Sequence, residues 1–180
     1  FPVNGWIGEQ TTLPENSGLG FFEIAAQEIG RDFDIWSDVF TGQEDRIVRV
    51  VAGQQNNPWV LEQLLANLDG RFDAVSSTAY AGLADDFAAA ADEYTTADEI
   101  IDSLLEVSIP WSRDRMIEHR EIADQYEELL GRDIQYVTYE SGSHVFAFNS
   151  PLYGTSGEAA GVEAMYSPRM YDVYQNLLNE

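Results

Sequence analysis

The stretch Arg46-Ile-Val-Arg-Val-Val-Ala-Gly53 limits what this chain can become more than any other. It is β-branched, nearly all apolar and bounded by turn residues, the pattern of a strand covered on both faces. Two further runs share the character: Phe72-Asp-Ala-Val-Ser-Ser-Thr-Ala-Tyr80 and Ile134-Gln-Tyr-Val-Thr-Tyr-Glu140. Between them lie segments with helical spacing. Strands buried on both faces and separated by helices form right-handed βαβ units, so the expected class is α/β with a parallel sheet.

The helices are legible from their apolar positions. Phe21, Phe22, Ile24, Ala25, Ile29, Phe33 and Trp36 recur at helical spacing up to about Phe40, with Asn16 or Ser17 as the expected cap. Asn57-Pro58 opens a second helix that Asp69-Gly70 closes. Residues 81–96 read as a long loop with at most one helical turn. Thr96 or Asp98 starts a helix carrying Ile100, Ile101, Leu104 and Leu105. Pro110 is expected to interrupt it, and a longer amphipathic helix follows from about Ser112 to Leu130. A loop from Ser141 to about Gly161 precedes a last helix bearing Met165, Met170, Val173 and Leu177. Residues 1–16 read as a leading loop. The chain opens at Phe1 without an initiator Met or a charged-then-apolar leader, which suggests a processed chain or a piece of a longer one.

Charge narrows the partners. The 180 residues contain no Lys and no Cys, and nine Arg face 32 Asp and Glu, for a formal charge of −23. A nucleic acid partner would need clustered cations, so none is expected, and anionic membrane is disfavoured by the same field. No apolar run of about 18 residues exists to span a bilayer. An all-arginine cation set under dense carboxylates fits solvation in strong salt, in an extracellular or cell-surface setting. The other reading of the acidity is a hard-cation site, but no EF-hand spacing occurs. With two His and no Cys, a zinc centre is not expected, and no G-x-G-x-x-G or P-loop calls for a nucleotide cofactor.

The expected strands end in polar or aromatic residues: Gln54-Gln55-Asn56, then Tyr80, then Glu140 followed by His144. Ligands of parallel α/β sheets bind at the carboxyl ends of strands. Glu140 stands out, because a carboxylate closing an apolar run is costly unless it is paired, hydrogen-bonded or functional. The bland alternative is a loop Glu leaving the sheet into water. His144 reads equally as a hydrogen-bonded loop residue, and His119, within Arg-Asp-Arg-Met-Ile-Glu-His-Arg-Glu, as solvated. No G-x-S-x-G supports a serine triad. Trp6, Trp59, Trp111 and Tyr153 are candidates for sugar stacking, Trp59 and Trp111 equally for the core.

Three stretches together resemble a known family: RIVRVVAGQQNNPWV at 46–60, FDAVSSTAYAGL at 72–83 and YVTYESGSH at 136–144. They are similar to the fifth to seventh strands of (β/α)8-barrel glycoside-hydrolase-like proteins, of the clan with catalytic carboxylates after strands four and seven. The resemblance covers roughly residues 40–180, and its most specific part is Tyr139-Glu140-Ser141-Gly142-Ser143-His144, where Ser141 stands for a family Gly. It implies Glu140 as nucleophile, Tyr80 as the group orienting that carboxylate, and Gln54, Asn56 and His144 lining a carbohydrate cleft, to which Trp6 is added as a stacking candidate. No cofactor or metal is implied. The family's acid/base is a Glu after Asn at the end of strand four, and no such pair ends a strand here; Glu9 and Glu15 are the remaining candidates.

Eight βα units need about 250 residues. The expectation is therefore one incomplete (β/α)8 barrel portion over 1–180, completed by remaining barrel segments or by another copy of the chain. Two functions compete: a portion of a retaining glycoside hydrolase, or a non-catalytic carbohydrate-binding or structural surface protein with a degenerate barrel. Whether the chain is an enzyme stays open, and the piece alone is expected to be inactive. A carboxylate-rich cation-binding protein is the third reading.

Overall fold

The computed structural model describes residues 8–145 and 151–179. The described chain is mixed α/β, with a three-stranded parallel sheet in the order β1-β2-β3. The strands are β1 (Val50–Ala52), β2 (Ala74–Ala81) and β3 (Gln135–Ser143). The helices are α1 (Phe21–Val39), α2 (Pro58–Ala66), α3 (Asp85–Ala90), α4 (Ala97–Ser103), α5 (Ile109–Leu130), α6 (Glu158–Tyr166) and α7 (Met170–Asn179). Contacts gather into two compact units, one of residues 1–77 and 118–137, the other of 78–117 and 138–180.

In the first unit, α1 starts one turn later than the Asn16–Ser17 expectation. Gly20 is its cap, and Glu23 turns back so that its carboxylate accepts from the Gly20 amide at 2.5 Å. Pro58 opens α2 as expected, since its missing N–H is one the first helical turn would leave unpaired anyway. β1 pairs with β2 in parallel, Val50 opposite Ala74 and Ala52 opposite Ser76. The core is Val51, Leu61, Leu64, Leu65, Leu68, Phe72, Val75, Ile122, Ala123 and Ile134.

Here β1 departs from the sequence reading. Only three residues pair, and just Val51 of them is buried: Val50 and Ala52 point to the opposite face, which is exposed, and among the described residues β1 is the edge of the sheet. β3 is likewise largely exposed along its length.

The amino ends of the strands in this unit are tied by charge. Asp73 accepts from the Arg49 backbone amide at 2.9 Å, from Arg49 Nε at 2.8 Å and from Nη2 at 2.7 Å. Arg132, just before β3, donates to the Gly70 carbonyl at 2.7 Å and to the Phe72 carbonyl, and lies 3.8 Å from Asp73. The two guanidinium groups hold the Asp73 carboxyl below its ordinary range, the hydrogen bond from Arg49 contributing most.

In the second unit, Ile100, Ile101, Leu104 and Ile109 pack with Val145, Leu152, Ala160, Ala164, Val173 and Leu177. α4 begins in a reciprocal cap. Thr96 Oγ1 accepts from the Glu99 amide at 3.3 Å, and Glu99 accepts from the Thr96 amide at 2.8 Å.

Pro110 does not end the helical path. Leu104–Ser108 widens into a π turn in which the Ile109 amide reaches back to the Leu104 carbonyl, and α5 continues from Ile109. Proline lacks the amide that would bond the carbonyl four residues back, and widening the preceding turn accommodates the loss without breaking the helix. The final helical region is two helices rather than one. Pro168 separates α6 from α7, and Arg169 spans to Asp98 at 2.9 Å and Asp102 at 2.6 Å.

Candidate functional site

The carboxyl ends of β2 and β3 in the second unit bring Tyr80, Glu140 and His144 together. The His144 amide donates to the Ala81 carbonyl at 2.8 Å, continuing the parallel ladder beyond β3. The Tyr80 hydroxyl hydrogen-bonds the Glu140 carboxylate, and this bond is the first cause of a Tyr80 pKa pushed up to about 12. Desolvation and the Glu140 charge act in the same direction. The His144 ring lies against Tyr80, centroids 5.4 Å apart and planes tilted by 33°. Ser141 Oγ donates to the Ala79 carbonyl at 3.0 Å, anchoring this stretch of β3 to β2. Glu140 itself is exposed.

This meeting depends on an irregular strand. On β2, Ser77 and Tyr80 are three residues apart and so point to opposite faces. On β3, Tyr136 and Glu140 are four apart and would share a face in a regular strand. Yet Tyr136 hydroxyl meets Ser77 Oγ at 2.6 Å, while Glu140 meets Tyr80.

The ladder explains how. The Gln135 amide bonds the Asp73 carbonyl; eight residues on from Asp73, the Ala81 carbonyl is bonded by His144, nine residues on from Gln135. Between those two bonds β3 therefore carries one extra residue, a β-bulge, and the opposite facing of Tyr136 and Glu140 puts it between these two. Bulges are frequent beside active sites because they re-aim a side chain.

The other expected residues sit apart from this group. Gln54 and Asn56 belong to the first unit, exposed in the turn after β1, where the Asn57 amide bonds the Gln54 carbonyl at 3.0 Å. Their neighbour Gln55 is the one that is buried. Trp6 lies outside the described residues. Trp59 is half-exposed, edge-on to Phe22 at 5.1 Å, and Trp111 and Tyr153 are also exposed. Glu9 and Glu15 are exposed in the leading segment of the first unit.

His119 corrects the reading as a solvated residue: it is fully buried, stacked at 6.3 Å on Tyr136. The signal was present in the spacing. His119, Ile122, Ala123, Tyr126 and Leu130 recur at helical intervals and form one face of α5, hidden in the sequence by the charged neighbours of His119. Ser77, Tyr136 and His119 make a buried polar cluster that sequence reading missed. Among the described residues no group of acidic and His side chains is arranged to hold a metal ion. No described helix is long and apolar enough to cross a membrane.

Comparison with protein families, with curated proteins and with solved structures finds no match to this chain. The case for a function accordingly rests on the geometry around Glu140.

Proposed function

We propose that this chain is a portion of a retaining glycoside hydrolase acting on a β-linked glycan, with Glu140 as nucleophile. The hydrogen bond from Tyr80 to Glu140 at the carboxyl end of parallel strands carries the reading. A nucleophilic carboxylate must present one oxygen to the anomeric carbon in fixed orientation. Tyr80 anchors the carboxylate and His144 packs behind Tyr80, supporting that orientation.

In the first step a Glu140 oxygen bonds to the anomeric carbon as the aglycone oxygen leaves with a proton from a second carboxyl group. Water then breaks the glycosyl ester, giving its proton to that same group. Gln54 and Asn56 as sugar contacts rest on their strand-end position and the resemblance, and Trp6 on its aromatic ring; the setting is extracellular and salty.

The test avoids dependence on the second carboxylate. Dinitrophenyl 2-deoxy-2-fluoro-β-glycosides of the gluco, xylo, manno and galacto series have leaving groups that need no acid. Incubation of the whole protein that carries this chain should add one fluoroglycosyl group to the peptide containing Glu140, and Glu140→Gln should abolish the label. No label from any of the four would sink the nucleophile assignment.

One observation favours the second reading, a non-catalytic carbohydrate-binding or structural protein. In the second unit, a groove of about 850 Å³ is lined by Tyr94, Tyr166, Glu93 and Glu163 and does not include Glu140. Its two tyrosines are 80 % and 85 % exposed, as stacking platforms are. On that reading, oligosaccharide binding survives Glu140→Gln and fails in Tyr94→Ala.

A further inference from the structure

The bulge in β3 also governs where the residue before Glu140 goes. Counted forward from the bond between the Gln135 amide and the Asp73 carbonyl, Tyr139 falls opposite Thr78 on β2. Counted back from the bond between the His144 amide and the Ala81 carbonyl, Glu140 falls opposite the same Thr78. A bulge sets two consecutive residues against one on the partner strand, and Thr78 shares a face of β2 with Tyr80. The Tyr80 hydroxyl answers to the charge of Tyr139 as well as to Glu140, so both side chains belong to that face. In a regular strand they would point apart.

Tyr139 is the open ring of this group. It is 58 % exposed, and among the described residues it makes no hydrogen bond and no ring contact. Tyr80 is already engaged: its hydroxyl holds Glu140, and the His144 ring lies against its own. Trp59, a stacking candidate by sequence, packs on Phe22 within the first unit. A tyrosine ring offers a flat apolar face to the C–H side of a sugar and a hydroxyl at its rim to the sugar's own hydroxyls.

We propose that Tyr139 is the platform on which the glycone sugar rests while Glu140 attacks its anomeric carbon. The inference rests on the glycosidase reading and adds to it the residue that seats the substrate. Two neighbours on one strand then act on one sugar, Glu140 through the bond it forms and Tyr139 through the ring it supports. A flat apolar contact is the same before and during the reaction. Its loss therefore weakens binding and leaves the bond-forming step at its own rate.

The test uses the whole protein that carries this chain and whichever of the four dinitrophenyl 2-deoxy-2-fluoro-β-glycosides labels it fastest. A Glu140 oxygen bonds to the anomeric carbon as dinitrophenolate leaves with the bonding electron pair. The absorbance of the released dinitrophenolate is followed at rising glycoside concentration, giving a half-saturating concentration and a limiting rate. Tyr139→Val removes the ring and keeps the preference for strand. It should raise the half-saturating concentration about tenfold and hold the limiting rate within about twofold. Tyr139→Phe keeps the ring and should stay within about threefold of wild type in both.

An unchanged half-saturating concentration in Tyr139→Val overturns the platform, as does a fall in its limiting rate or an equal loss in Tyr139→Phe. The two readings fail separately. A wild-type protein that takes no label removes the nucleophile and this inference with it, whereas labelling of Tyr139→Val at wild-type concentrations removes this inference alone.

Discussion

At the scale of single residues, the tyrosine–carboxylate pair is the part of the site with a measurable signature. The raised Tyr80 pKa means the neutral phenol is favoured in the folded chain. Its contribution is complete below the ordinary tyrosine pKa of 10 and is lost as pH rises through about 12. Ultraviolet tyrosinate titration should show one late-ionising group that is missing in Tyr80→Phe. In Glu140→Gln it should move down towards 10, because the partner's charge is gone. A tyrosine titration curve identical in wild type and Glu140→Gln would refute the hydrogen bond.

Asp73 behaves oppositely. Its carboxyl is held low, so its stabilisation is present above the ordinary carboxylate range and fades as pH falls through the lowered value. Asp73→Ala should cost about 1–3 kcal/mol near neutrality, less at high salt because the group is partly exposed. The gap from wild type, read from denaturant midpoints, should close in acid.

At the scale of elements, local chemistry was more legible than context. The capping box of α4 stands in the sequence as Thr96 followed by Glu99, and Thr96→Ala should lower stability by about 1 kcal/mol in denaturant titration. Pro58, Ile100, Ile101 and the helix end at Leu130 were read correctly because caps, stripes and stops act within a few residues. Pro110 was misread for the same reason. Propensity forbids it in a regular helix, but the π turn that accommodates it is selected by the packing of Leu104 and Ile109 into the second unit's core. The Val-rich run at 46–53 has strand composition, yet only its last part pairs, since edge or centre is a property of neighbours and not of the run. His119 was legible in principle. Its spacing places it on the buried face, and the charges around it obscured that.

At the scale of the whole molecule, the α/β class followed from alternating periodicities, and the described residues form a three-stranded parallel sheet. The Tyr80–Glu140–His144 grouping was legible as a set of strand ends; Gln54 and Asn56 came from the same reading, but their strand end lies in the first unit. The charge of −23 carries its own prediction. Self-repulsion falls as salt rises, so the melting temperature should climb steadily between about 0.1 M and 2 M KCl. A flat or falling profile would remove the argument for a high-salt setting.

The extra residue in β3 has a consequence for inheritance. It separates two anchors of the strand, Tyr136 on one side and Glu140 on the other, that answer to different faces of β2. Substitutions anywhere along the strand leave that phase intact, whereas loss of one residue between the anchors would keep the buried hydroxyl pair and turn the carboxylate to the wrong side. Relatives that keep the Glu140 contact should therefore tolerate changes of side chain between positions 136 and 140 far more readily than changes of count.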